Sequence, residues 1–408
     1  MNMSRFRAQN LLKSDDPLSR QLYEWLGGKM FLFGLFAMMF AFIVRMVFLG
    51  KNSIYLDEAF SIHTAQRSVI GLIKRVSADN SPPLHYLLLH YWIRIFGTTE
   101  EATRLLSTML NVLSIPVLIA IGRRFFSDKV AVYSVLLFIT SDIYIYYSKE
   151  ARTYTLVTLL TLLSFYYLFR LIESGTWKHA ILLGLFNYLL IMSHYGIYVL
   201  FPLQGLAMLL YLPTHPRMFG RYFVGQLGMV MLFLPWYFYW QANISINMSW
   251  VPKPTLKFIR YVLIRFAGNT SHLAIFKWLF LLGLPITFGF RAWKGGFKWR
   301  RILVLILWGG GTFGLSILMS YLYKPSFREN YILFCLPAGF LLVAWIWAEF
   351  PLNGMFKTIV FGFAFILMVK STVYNYQRDR HWREAVHSLE NMASDNTLIL
   401  MGRKYFTL

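Results

Sequence analysis

Acidic residues are scarce in this chain: 18 Asp and Glu stand against 40 Lys and Arg, a formal charge of +22 over 408 residues. Charge of either sign is rare too, at 14% of the composition against roughly 25% in soluble domains. There is one cysteine, Cys335. It lies in an apolar run and excludes both an intrachain disulfide and a Cys-based metal cluster. No glycine-rich dinucleotide fingerprint follows a strand pattern and no P-loop motif occurs, so nucleotide-binding folds have no support. Internal repeats and Gly/Ser-rich linkers are absent. The run Gly309-Gly310-Gly311 lies inside an apolar segment, where close helix packing accounts for it.

What the chain has in abundance is apolar sequence, 57% of its residues. Apolar runs recur, each long enough to cross a hydrocarbon core about 30 Å thick. The spans are expected near 30–49, 104–122, 130–147, 153–171, 179–193, 196–212, 222–240, 272–290, 302–321, 331–349 and 356–373. Nothing in residues 1–29, which are polar and of mixed charge, reads as a cleavable signal. The basic residues punctuate the apolar runs instead of forming one patch. That is the positive-inside pattern, and it leaves no expectation of nucleic-acid binding.

One segment decides the topology. PLHYLLLHYWIRIF, residues 83–96, is short for a span and contains His85, His90 and Arg94. If it lies along the interface, the basic loops GRRFFSDK, PTHPRMFGR and RAWKGGFKWRR share one side, the cytoplasm. The opposite loops YSKEAR, SHY and YKPSFREN carry far fewer basic residues. The fold expected is therefore an all-α polytopic membrane protein. A cytoplasmic segment 1–29 precedes a transmembrane domain 30–373 of about eleven helices. Its large outer loops run over about 50–103, with interfacial helices, and 241–271. A short extracytoplasmic segment, 374–408, follows; in it HWREAVHSLENM reads as a helix and TLILM as a strand.

Ionisable groups beside hydrocarbon are costly, so each cluster is a functional candidate. Four clusters share the outer surface under this topology. Asp57-Glu58 follows the first span; such a pair suits a general base with a supporting carboxylate, and equally a helix N-terminus. Asp79 precedes Pro82-Pro83, which can open a helix or simply mark a turn. YSKEARTY carries Lys149, Glu150, Arg152 and Tyr154; Arg152 suits an ion pair and a phosphate about equally. His194-Tyr195 forms a tight outer hairpin.

These clusters, in this order, resemble the GT-C membrane glycosyltransferases, and among them the bacterial family that includes protein O-mannosyltransferases and the lipid A aminoarabinose transferase. The matching stretches are LDEAFS, DNSPPLHYLLL, RLLSTMLNVLSIPVLIAIGRRFF, YSKEARTYTL, SHYGIYVL and DRHWREAVHSLE. The resemblance implies a polyprenyl-phosphate sugar as donor, no nucleotide cofactor, and transfer on the extracytoplasmic face, usually with inversion. The acceptor would be an envelope glycan, a glycolipid or a protein, and the setting a bacterial inner membrane. It implies Asp57 as catalytic base. Glu58 and Asp79 would support the acceptor, or with His194 hold a divalent ion. Lys149, Arg152, Tyr154, His194, Tyr195 and Arg328 would form the donor phosphate pocket, and Arg104 would tie the first loop to the bundle or, about equally, snorkel at the interface. The chain departs from its relatives at Ser81, where they carry His, and at Asn330-Tyr331, where they carry Arg-Tyr; Arg328 stands two residues earlier. A lipid-linked sugar flippase, or a non-catalytic accessory protein of the same fold, are the rival readings. A cysteine placed at Ser81 is expected to react with an impermeant thiol reagent from outside intact cells; labelling only after lysis would reverse the topology.

Overall fold

The computed structural model describes residues 28–375, except 48, 246–251, 269–274, 276, 278, 296–298, 324 and 326. The expected N-terminal segment and the expected helix and strand of 374–408 fall outside the described residues, apart from 28–29 and 374–375. The described residues are helical throughout, without strands. Helix lies at each of the eleven expected spans. Four helices are long and apolar enough to cross a membrane unbroken: α1 (Lys29–Met46), α5 (Glu100–Phe125), α8 (Tyr154–Ser174) and α11 (Pro216–Asn243). The helical run Trp299–Leu322 is a fifth. Trp177–Ile191, Tyr195–Leu209, Leu333–Glu349 and the helix beginning at Gly354 are shorter apolar segments at the expected places.

The span expected over 130–147 is not one helix. It is α6 (Asp128–Ile139) and α7 (Asp142–Ser148), bent by 60°. The local cause is polar. Thr140 Oγ1 donates to Leu136 O at 2.7 Å, competing with the helical ladder. Arg45, fully buried in the last turn of α1, stabilises the break. Its Nε donates to Asn111 Oδ1 at 2.7 Å, and its Nη1 to Ala41 O at 3.2 Å and to Ile139 O at 3.5 Å, at the negative end of α6. Lys149 ends α7 and turns to the same region. Its Nζ donates to Val47 O at 2.6 Å. Burial, and then Arg45's charge, lower its pKa to about 7. Lys149 was expected at the donor phosphate; here it ties α7 to the end of α1.

The segment after α1 folds into three helices, α2 (Leu56–Gln66), α3 (Val69–Ala78) and α4 (Leu84–Phe96), which pack on one another. The 13 residues of α4 reach only about 20 Å at 1.5 Å per residue, too short to cross. Ser68 and Thr99 cap α3 and α5 with their hydroxyls. Gly97, at φ 86°, makes the turn out of α4 in a conformation closed to most side chains. Leu84 N donates to Met192 O at 2.9 Å, pinning the start of α4 to the end of α9 (Trp177–Ile191).

Two devices hold the central spans. A polar network joins α8, α9, α10 (Leu200–Leu209) and α11. Ser164 Oγ donates to Asn187 Oδ1 at 2.6 Å, and Asn187 Nδ2 donates to Gln204 Oε1 and Gln226 Oε1, both at 2.7 Å. Gln204 Nε2 closes the ring on Ser164 Oγ at 2.8 Å. The second device is close approach through small residues. A Cβ on Gly184 of α9 would lie 2.4 Å from Gly225 O of α11, and one on Gly225 would lie 2.6 Å from Ala180 O. Gly184→Ala therefore forces a backbone shift. It is expected to lower stability by about 1–3 kcal/mol, read as a fall in the melting temperature of the nanodisc-embedded protein, although alanine is the better helix former.

Candidate active site

The site begins with a buried ion pair. Glu58 lies in the first turn of α2 and accepts from Tyr55 N at 3.1 Å, closing a capping box. It meets Arg104 through two parallel bonds, Nε to Oε1 at 2.8 Å and Nη2 to Oε2 at 2.9 Å, and also accepts from Ala151 N at 3.0 Å. Arg104 adds bonds to Leu49 O, Asn52 O and Ser53 O at 3.0, 2.7 and 3.2 Å. Arg104 thus does what the sequence suggested. Glu58 does not: both oxygens are engaged and the side chain is buried, so it faces neither an acceptor nor an ion.

The clamp sets the segment Lys149–Thr153 against α2. Arg152 Nη1 donates to Asp57 O and to Ser61 Oγ, each at 3.0 Å, and its guanidinium lies 5.8 Å from the centre of the Tyr154 ring. Arg152 also lines a cavity of about 400 Å³. Asn80, Ser81 and Tyr86 come to it from the segment between α1 and α5, Ser193, His194, Tyr195 and Tyr198 from the end of α9 and beyond, Trp240 and Gln241 from the end of α11, and Tyr323 and Tyr331 from the late loop. Asp57 is not among the lining residues; its side chain is exposed in the first turn of α2.

His194 Nδ1 accepts from Gly196 N at 3.0 Å, and its ring packs on Tyr331 at 4.9 Å. Burial, and then the charge of Arg152, lower its pKa to about 4. It is thus neutral at pH 7, with its proton on Nε2 as a donor. His85, buried near Arg152, is likewise pushed down to about 3, first by burial and then by that charge. Tyr195 Oη accepts from Trp236 Nε1 at 2.8 Å. Asp79 accepts from Ser81 Oγ at 2.8 Å, and Tyr86 Oη donates to Ser81 Oγ at 3.3 Å. In the relatives' Arg-Tyr position, Asn330 Nδ2 donates to Tyr154 Oη at 2.6 Å, while Arg328 lies 5.9 Å from the Tyr331 ring centre.

The structure therefore gathers Arg152, His194 and Tyr195 around one cavity, with Asp57 joined to it through Arg152. Tyr154 and Arg328 flank it without lining it. Glu58 and Lys149 are structural. Glu58, Asp79 and His194 do not come together: among the described residues no three His, Cys, Asp or Glu side chains converge. Sequence reading missed Tyr86 and Trp240, and had Tyr331 only as the Tyr of the relatives' Arg-Tyr position. The one signal of Tyr86 and Trp240 was the recurrence of aromatics at the ends of spans, which membrane interfaces produce in any case.

Comparisons with known proteins agree with this architecture. Residues 80–241 match the family described as dolichyl-phosphate-mannose-protein mannosyltransferase. The structure of ArnT from Cupriavidus metallidurans in the apo state superposes with a TM-score of 0.57 at 13% identity, over 83% of this chain and 64% of that one. The same protein bound to undecaprenyl phosphate gives 0.56 at 14% identity, over 81% and 63%. The chain thus spans under two thirds of ArnT's length. An oligosaccharyltransferase from Archaeoglobus fulgidus gives 0.48 at 11% identity, over 91% of this chain and 58% of that one. No curated protein matches the chain in sequence. The chain is thus a multi-pass membrane protein with the fold of ArnT, and over residues 80–241 it is similar to the dolichyl-phosphate-mannose-protein mannosyltransferase family.

Proposed function

We propose that the protein transfers a sugar from a polyprenyl-phosphate donor to a hydroxyl acceptor of the cell envelope, at the extracytoplasmic face of the bacterial inner membrane. The observation that carries this reading is Arg152, which lines the cavity while its Nη1 is fixed to Asp57 O and Ser61 Oγ. A half-buried guanidinium aimed into a cavity suits a phosphate, and the neighbouring exposed carboxylate of Asp57 suits a base.

In the reaction, Asp57 takes the proton of the acceptor hydroxyl. The acceptor oxygen forms its bond to the anomeric carbon as the bond from that carbon to the phosphate oxygen breaks. Polyprenyl phosphate leaves with one added negative charge, which Arg152 meets. His194, neutral and with a hydrogen on Nε2, donates to the phosphate or the sugar without needing to titrate.

Asp57→Asn is expected to lower kcat by about 10² to 10⁴ with donor binding intact, measured on purified protein with a panel of labelled polyprenyl-phosphate sugars. Equal transfer by both proteins would remove Asp57 as base. Transport of lipid-linked sugar into vesicles with no transfer for any donor would favour the flippase. Donor binding without either activity would favour the accessory reading. Arg152→Lys keeps the charge but loses the fork and its anchor, and is expected to weaken donor binding about tenfold.

The pH profile gives a separate check. His194 gains a proton only as pH falls through about 4, so the rate is expected to show no imidazole ionisation between about pH 5.5 and 8. A limb near 6.5 that disappears in His194→Asn would contradict the neutral assignment.

A further inference from the structure

A second cavity, of about 150 Å³, shares no residue with the candidate site. Two helices that carry no candidate residue bound it, α12 (Leu336–Glu349) and α13 (Gly354–Asn375). Val343 and Trp347 face it from successive turns of α12, and Val360, Ala364 and Met368 from successive turns of α13. All its lining residues are apolar, and the indole N–H of Trp347 is the one strong hydrogen-bonding group among their side chains. Val360 to Met368 is about 12 Å at 1.5 Å per residue, close to the roughly 15 Å of one hydrocarbon leaflet. A lipid chain lying along α13 would thus be lined over most of its depth. Leu279, on another wall, opens a π-helical stretch, Leu279–Gly283, a rare geometry that recurs at functional sites.

One end of this groove differs from the rest. Trp347 lies in the last turn of α12, and its Nε1 is buried without a hydrogen-bond partner among the described residues. A buried indole N–H is normally paired, and the apolar walls offer it no acceptor. Beyond Trp347 the surroundings turn cationic. Lys357, three residues before Val360, donates from Nζ to Ala348 O at 2.8 Å and to Phe350 O at 3.1 Å. Lys129, exposed at the start of α6, lies near enough for its charge to act on Lys357. The adjoining acids already face arginines: Glu349 lies 3.4 Å from Arg291 Nε, and Asp128 lies 3.1 Å from Arg123 Nε. The charges of Lys129 and Lys357 are therefore in excess.

An apolar groove, then a lone N–H donor, then positive charge is the order of parts in a glycerophospholipid turned about: chain, ester carbonyl, phosphate. Trp rings commonly sit at that headgroup level. The donor lipid is placed elsewhere. Its phosphate belongs with Arg152, in the cavity lined by Tyr331, which precedes the start of α12. Trp347 is at the other end of α12, about 16 Å along the helix from Leu336.

We propose that the groove binds one acyl chain of an anionic glycerophospholipid, with an ester carbonyl accepting from Trp347 Nε1 and the phosphate beside Lys129 and Lys357. The site is separate from the transferase cavity, and its lipid is neither donor nor acceptor.

The test is native mass spectrometry of the delipidated full chain in detergent, titrated with phosphatidylglycerol, with phosphatidylcholine of the same chains, and with polyprenyl phosphate. One phosphatidylglycerol is expected to bind at least about threefold tighter than phosphatidylcholine. Trp347→Phe keeps the ring and loses the donor, and is expected to weaken both phospholipids about threefold to tenfold with polyprenyl phosphate unchanged. Lys129→Gln, at an exposed position, should weaken phosphatidylglycerol alone. Ala364→Phe fills the groove, should weaken both phospholipids, and serves as the reading if the Trp347 variant does not fold. Unchanged phospholipid binding in Trp347→Phe and Ala364→Phe, equal affinity for the two phospholipids, or one-for-one displacement of phosphatidylglycerol by polyprenyl phosphate would overturn the proposal. None of these outcomes bears on the transferase reading.

Discussion

The Glu58–Arg104 pair is the constraint on which the candidate site depends. It is bidentate and buried, and its remaining capacity is taken by backbone groups of two separate segments, residues 49–55 and Ala151. Removing one partner would strand the other as a buried charge, typically at a cost of about 3–5 kcal/mol. Everything the site needs is fixed relative to this pair. Asp57 precedes Glu58 in the same helical turn, and Arg152 follows the Ala151 amide that Glu58 accepts from. The candidate base and the candidate phosphate-binding cation are thus each one residue away from the clamp. Their spacing is set by backbone rather than by long flexible side chains.

The same logic explains how the sequence was read, rightly and wrongly. Helical spans follow from apolar length alone, so the positions of all eleven were legible. The break at Thr140-Ser141 was not. A Thr bonding to its own helix is a local event inside an otherwise uniform run, and the arginine that stabilises it lies far away in the sequence, in the first span. That α4 is too short to cross was legible from the length of its apolar run, 13 residues in the helix.

At the site, residue types were legible but their duties were not. In Asp57-Glu58 the two carboxylates look interchangeable. On the helix they are about 100° apart, and one turns into the protein while the other turns out. Lys149 and Arg152, three residues apart, separate in the same way, one toward the end of α1 and one toward the cavity. The aromatic wall was hidden for a different reason. Tyr and Trp gather at the ends of membrane helices whatever the function, so Tyr86 and Trp240 carry no distinguishing signal until they are seen facing one space.

The ring of Ser164, Asn187, Gln204 and Gln226 bears on how the chain enters the membrane. Each side chain sits within an apolar helix, and each finds its partner only on another helix. As the chain emerges from the ribosome, Ser164 and Asn187 can pair early as a hairpin, but Asn187 still has an amide group to satisfy. That need is met only as α10 and α11 arrive, Gln204 following Asn187 by 17 residues and Gln226 by 39. Insertion one helix at a time would leave amides in hydrocarbon. The network therefore favours release of α8 to α11 into the bilayer as a group, with the final helix acting as the check that the group is complete.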